Sequence, residues 1–180
     1  MPGRRAFLTK TTAAVGLAAG AAGCVGGIFE SGTDAYLQFK AVSVSWRRDN
    51  QTYRAEVLDV AHHVDDATVE GYYDPEYASA AVDPATRVEV GEALHDRLTR
   101  EFETVDYLLG ACGEGFGDGD AVSCLNQGAG RKDFNAAPLT GRVTVANRDG
   151  QFDVLDADPD VYAVEEVALR ERAHDAWVED

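Results

Sequence analysis

Tyr36-Leu37-Gln38-Phe39-Lys40-Ala41-Val42-Ser43-Val44-Ser45-Trp46 is the stretch on which the fold turns. Its second half alternates apolar and polar residues and is rich in β-formers, the pattern of a half-buried strand. Arg48-Asp49-Asn50-Gln51 follows as a turn signal, and Thr52 to Val60 alternates again through Tyr53, Ala55 and Val57. The three pieces together predict a β-hairpin.

Working outward, Arg142 to Ala146 and Gln151 to Leu155 flank Asn147-Arg148-Asp149-Gly150, which predicts a second hairpin. Between the hairpins, Val88, Gly91, Leu94, Leu98, Phe102 and Val105 recur at spacings of three and four, one face of a helix. Asp83-Pro84 offers a cap and a first helical proline ahead of it. Gly91 weakens the early part by about 1 kcal/mol, so the helix is read chiefly over Glu92 to Glu103. His62 to Ser79 reads as irregular, and Gly113 to Gly130 as a long glycine-rich loop. Residues 160–178 are ambiguous between helix and strand and are read as helix. The expected fold class is α+β, a small antiparallel sheet built from hairpins with one main amphipathic helix.

The ends of the chain carry a different kind of information. Arg4-Arg5-Ala6-Phe7-Leu8 is a twin-arginine pattern, followed by the small apolar run Ala13 to Gly23 and then Cys24. That order is a charged head, a weakly apolar middle and a small-residue cut site. The run is too short to span a bilayer, which needs roughly 20 apolar residues. The leader resembles that of proteins exported folded by the twin-arginine route. Ala21-Ala22-Gly23-Cys24 resembles a lipobox, with Ala21 where leucine is usual. The resemblance implies that Cys24 becomes the lipid-bearing first residue of the mature chain. The organisation expected is a signal peptide over 1–23, a lipidated tether over 24–34 and one domain over 35–180.

Asp plus Glu is 32 against 16 Lys plus Arg, a net charge of −16. Loss of Arg4, Arg5 and Lys10 with the leader takes this to −19 and leaves Lys40 and Lys132 as the only lysines. Acidic, lysine-poor chains with such a leader resemble the exported lipoproteins of salt-loving archaea; the alternative is an ordinary acidic protein of a low-salt habitat. At about 1 M salt the Debye length falls to about 3 Å, so a crowded acidic surface no longer repels itself strongly. The same charge favours a soluble monomer. It disfavours nucleic acid as a partner, which demands a basic stripe.

Cys112 and Cys124 bracket eleven residues, four of them glycine. In an exported protein such a pair reads as a disulfide. A metal pair would need further Cys or His nearby, and a redox pair closer spacing. His62-His63-Val64-Asp65-Asp66 sets two imidazoles beside two carboxylates, a set that can share a transition metal. Neighbours on a strand point to opposite faces, so an exposed polar loop is the plainer reading. His95, on the helix, and His174, in the acidic tail, read as surface or partly packed histidines. Asp118-Gly119-Asp120 and Asp156-Ala157-Asp158-Pro159-Asp160 invite a calcium reading, but the second places Val161 and Val167 where an EF-hand needs glycine and glutamate. Ser123 adjoins Cys124 with no evident base. No nucleophile elbow, phosphate loop, dinucleotide fingerprint or His-Glu-x-x-His is present, so no catalytic residue, metal ligand or cofactor is assigned. Asn50-Gln51-Thr52 is an N-glycosylation acceptor triplet at the first hairpin turn.

The function expected is that of an exported lipoprotein, held to the outer face of the membrane by lipid on Cys24, with a non-catalytic binding or accessory role in the envelope. The rival is a small metal-dependent or hydrolytic enzyme using His62, His63 and nearby carboxylates, with Tyr72 or Tyr73 in the same pocket.

Overall fold

The computed structural model of the protein describes residues 31–117, 121–159 and 161–174. It corrects the expected fold class. The described residues are 52% strand and 17% helix, an eight-stranded sheet that closes in part into a five-stranded barrel, not an α+β fold with one main helix.

The strands are β1 (Thr33–Arg48), β2 (Gln51–His63), β3 (Thr68–Tyr73), β4 (Thr104–Gly113), β5 (Ser123–Ala129), β6 (Arg142–Arg148), β7 (Gln151–Asp158) and β8 (Glu166–Glu171). Both hairpins read from the sequence are present. In β1–β2, Arg48 faces Gln51 and the turn residues Asp49 and Asn50 have φ of 52° and 64°. In β6–β7, Arg148 faces Gln151 across Asp149 (φ 53°) and Gly150 (φ 78°). Positive φ at both central residues gives a two-residue turn whose twist matches that of the strands, which Asn, Asp and Gly tolerate best.

β1 is the spine. Its first residues, Thr33 to Tyr36, pair with β6, and from Phe39 onward the same edge pairs with β2. Its other edge pairs with β4 from Tyr36 to Ser45. β4 continues to β5, β5 to β7 and β7 to β6, which closes the barrel β1-β4-β5-β7-β6. The second half of β1 carries β2, β3 and β8 outward as a wing. A change of register between Leu37 and Phe39 against β4 marks a bulge, which adds twist where the strand passes from barrel to wing. There the Phe39 ring lies over Gly110, where a Cβ would meet it at 2.3 Å.

The core is formed by Leu37, Val42, Val44, Val57, Leu58, Val60, Leu109, Phe134, Leu139, Val145 and Phe152, all essentially inaccessible. Two short helices close over it. α1 (Glu92–Glu101) starts after Gly91 and not at Pro84, because Val88 and Val90 are wholly buried as extended packing residues ahead of it. Of α1 only Leu98 is buried, so this helix covers the sheet and does not organise it. α2 (Arg131–Ala136) inserts Phe134. Residues read as irregular or loop hold β3 and β5. The segment read as helix after residue 160 holds β8, which pairs in parallel with β3 from Thr68–Glu166 to Tyr73–Glu171. No helix among the described residues is long and apolar enough to cross a membrane.

Candidate functional site

The histidine pair divides across the sheet. His62 opposes Val69 and is 1% exposed, beneath Leu139, Tyr162 and Ala163. Its ring nitrogens approach the backbone of Leu139 and Ala163 without making a well-formed hydrogen bond. Burial, the largest influence, holds its pKa below the ordinary value. His63 opposes Thr68 on the other face and pairs through Nε2 with Glu70 at 2.9 Å. Tyr72 and Tyr73 divide in the same way. The Tyr72 hydroxyl donates to Glu56 at 3.2 Å under the Arg172 guanidinium, and burial next to Glu56 and Asp59 pushes it up to about 12. The Tyr73 hydroxyl donates to Glu171 at 3.4 Å. The four side chains therefore do not converge, and no group of three metal-binding side chains occurs among the described residues.

Cys112 and Cys124 face each other directly in the β4–β5 register and are joined as a disulfide. The pairing follows from β5, which turns the expected loop into the neighbouring strand. Asn50 is exposed at the hairpin tip. His95 bonds through Nδ1 to the Tyr107 hydroxyl at 2.7 Å. His174 packs among Trp46, Tyr77 and Phe102, with ring centroids 5.3–5.4 Å away. Asp156 and Asp158 lie on β7. Cys24, the twin arginines, residues 118–120 and residue 160 lie outside the described residues.

Two of the hollows that adjoin the barrel among the described residues share Ala157 in their walls. The larger, about 680 Å³, lies at the barrel end where the described chain begins. Gly32 to Tyr36 forms one side, Cys112 to Gly115 a second, and Arg142 to Thr144 with Asp156 to Asp158 a third. Its charged residues are Asp34, Glu114, Asp156, Asp158 and Arg142. Thr144 donates to Asp34 at 2.7 Å and Arg142 to the Tyr162 hydroxyl at 3.4 Å. Tyr36 meets Tyr162 edge to face, 5.9 Å between centroids. The disulfide thus stiffens one wall, and the tyrosines and threonines supply adaptable polar contacts.

The second hollow, about 510 Å³, lies over Lys40. Pro84, Pro138, Pro159 and Ala157 give it an apolar lining; Arg87 and Glu89 on its wall pair with each other at 3.1 Å. Lys40 is 1% exposed. Its Nζ donates to the carbonyls of Val88 at 2.5 Å and Ala137 at 2.8 Å, and lies 4.3 Å from the centre of the Phe134 ring. Burial lowers its pKa to about 7 against the weaker opposing pull of Glu89. The sequence signal was available: Lys40 has the same strand parity as Val42 and Val44, the apolar register of β1.

No protein-family model matches the chain, no curated protein is significantly similar to it in sequence, and no solved structure matches its fold.

Proposed function

We propose that the chain is an exported lipoprotein, held to the outer face of the membrane by lipid on Cys24, whose domain is a non-catalytic binding module of the cell envelope. The observation that carries the binding role is the hollow at the barrel end, formed in part by Gly32 to Tyr36. A chain from Cys24 to Thr33 spans at most about 30 Å, at about 3.5 Å per residue, so an anchored domain would hold this hollow close to the bilayer. The size of the hollow is that of a small-ligand site. The separation of His62 from His63 across the sheet weighs against the enzyme reading, which needs both on one substrate. The leader sequence supports the anchor: two acyl chains on Cys24 meet the requirement of two signals for stable membrane attachment.

Cys24→Ser is expected to shift the protein from the membrane fraction to the medium or to leave the precursor uncut. Wild-type protein that partitions into the aqueous phase of a detergent extraction would overturn the anchor. Arg4→Lys with Arg5→Lys is expected to stop export; normal secretion of that variant would overturn the twin-arginine route.

A further inference from the structure

Lys40 is a buried amine without a paired counter-anion, its pKa lowered to about 7. Among the described residues no carboxylate lies within ion-pairing distance of its Nζ, and its two hydrogen-bond partners are neutral carbonyls. An ammonium carries three protons; these two bonds and the Phe134 ring, 4.3 Å away, surround it with neutral partners alone. Burying a charge costs far more when no opposite charge accompanies it. An apolar side chain of similar length would pack between Val88, Phe134 and Ala137 without that cost, and such replacements are often neutral or stabilising. The chain nonetheless places here one of its three lysines, against a net charge of −16.

We propose that the hollow over Lys40 binds a small carboxylate with an apolar body. The carboxylate supplies the missing counter-charge to Nζ, and the body covers Pro84, Pro138, Pro159 and Ala157. Of the charged residues on the wall, Arg87 and Glu89 already neutralise each other, so protonated Lys40 gives the hollow a charge of +1. α2 presents only uncharged groups to it, Asn135 and Ala136; Asn135 is fixed by two bonds to the backbone of Val90. The volume of about 510 Å³ lies inside the range of roughly 300–1,000 Å³ usual for small-molecule sites. The lowered pKa of Lys40 is what an unpaired buried ammonium shows, and a bound carboxylate would raise it again. Binding then takes up a proton near neutrality and weakens as the pH rises. The inference goes beyond the binding role proposed above, which rests on the barrel-end hollow, and assigns a separate site.

Hexanoate serves as the probe, at one fixed salt concentration. With ¹³C-labelled lysine, the mature chain carries only Lys40 and Lys132, so the Lys40 Cε resonance can be followed directly. Saturating hexanoate is expected to move its titration midpoint upward by a unit or more, and calorimetric affinity is expected to fall at least about tenfold between about pH 6 and about pH 9. Ala136→Trp, which adds bulk at an exposed position on the wall, is expected to abolish both effects, and Lys40→Met is expected to abolish the calorimetric binding. Hexanoate recovered unchanged accords with binding; conversion of hexanoate would overturn the non-catalytic reading instead. No shift of the Lys40 resonance at millimolar hexanoate, or binding that survives Ala136→Trp, would overturn the carboxylate site. Neither result bears on the anchor, which is read by membrane fractionation alone. Should Lys40→Met not fold, the wild-type titration and Ala136→Trp decide the matter.

Discussion

One carboxylate oxygen of Asp74 accepts two hydrogen bonds from His174, from the backbone N–H at 2.7 Å and from ring Nδ1 at 2.8 Å. The other oxygen accepts the Glu76 N–H at 2.8 Å. Asp74 is 1% exposed, so these bonds pin the end of the described chain, a hundred residues away in sequence, against Trp46, Tyr77 and Phe102.

That attachment has an acid limit. Burial pushes the Asp74 carboxyl up, but the bonds from the His174 ring, the His174 amide and the Glu76 amide together outweigh it and hold the pKa below the ordinary value. A carboxyl with a lower pKa in the folded than in the unfolded state contributes stability above its unfolded value of about 3.9, and that contribution is lost as the pH falls through the folded value. His174→Ala is expected to cost about 2 kcal/mol at neutral pH, because it strips a buried carboxylate of its ring donor. The gap between variant and wild type should narrow as the pH falls through the lowered folded value of Asp74. Urea unfolding at a series of pH values reads both effects. Equal stability of the two proteins at neutral pH would show that the contact is only incidental packing.

His62 has the opposite charge logic and a higher range. Its folded pKa lies below the unfolded value of about 6.5, so the unfolded chain binds the proton first. Stability is then intact above that value and is lost as the pH falls beneath it, by at most about 1.4 kcal/mol per unit. His62→Leu, which keeps the volume roughly and removes two poorly satisfied nitrogens, is expected to flatten this slope below about pH 6.5 and to leave stability at pH 8 equal or higher. An unchanged slope in the variant would assign the acid sensitivity elsewhere.

Salt dependence follows from composition. The described ion pairs of Arg47, Arg48, Arg54, Arg87, Arg97 and Arg148 are largely exposed, where solvent screening leaves each contributing little. They cannot offset a net charge of −16 at low ionic strength, where at about 0.01 M the screening length is about 30 Å. The thermal midpoint is expected to rise steeply from tens of millimolar to molar potassium chloride. A midpoint that stays level across this range would remove the physical basis for assigning the protein to a salty habitat.

Turn chemistry made both hairpins legible, since Asp49-Asn50 and Asp149-Gly150 suit only a few backbone conformations. Cys112 and Cys124 were legible from composition and spacing, although the strand that sets them opposite was not. β3 carries Gly71 at φ 148°, close against the Asp59 carbonyl, which breaks the pattern of a strand former. β5 reads Ser-Cys-Leu-Asn-Gln-Gly-Ala, with little apolar alternation. β8 is an edge strand whose charged residues suit solvent and whose pairing partner lies almost a hundred residues earlier. Only β8 depends on a partner distant in sequence; β3 and β5 pair with the strands just before them, β2 and β4, and were hidden by their own weak apolar alternation. α1 had the clearer local signal and the smaller structural role. Lys40 and His62 escaped because each was weighed by residue type and sequence neighbours; the alternation that places Lys40 with Val42, and His62 with Val60, was the evidence for burial.

The barrel closes through a seam of unequal strength. Where β5 meets β7 the register comprises only Gly128 with Gln151 and Ala129 with Phe152, whereas the β1–β4 seam runs from Tyr36 to Ser45. A cylinder yields at its shortest hydrogen-bonded joint, so the ring can part between β5 and β7 while the β1–β2 wing and the β6–β7 hairpin stay intact. The disulfide keeps β5 with β4 during such an opening, and the Phe116–Phe152 contact, 6.0 Å between ring centroids, is one that must break. Breathing of this kind would admit solvent to the barrel interior on one side only, with β5 swinging as the movable stave.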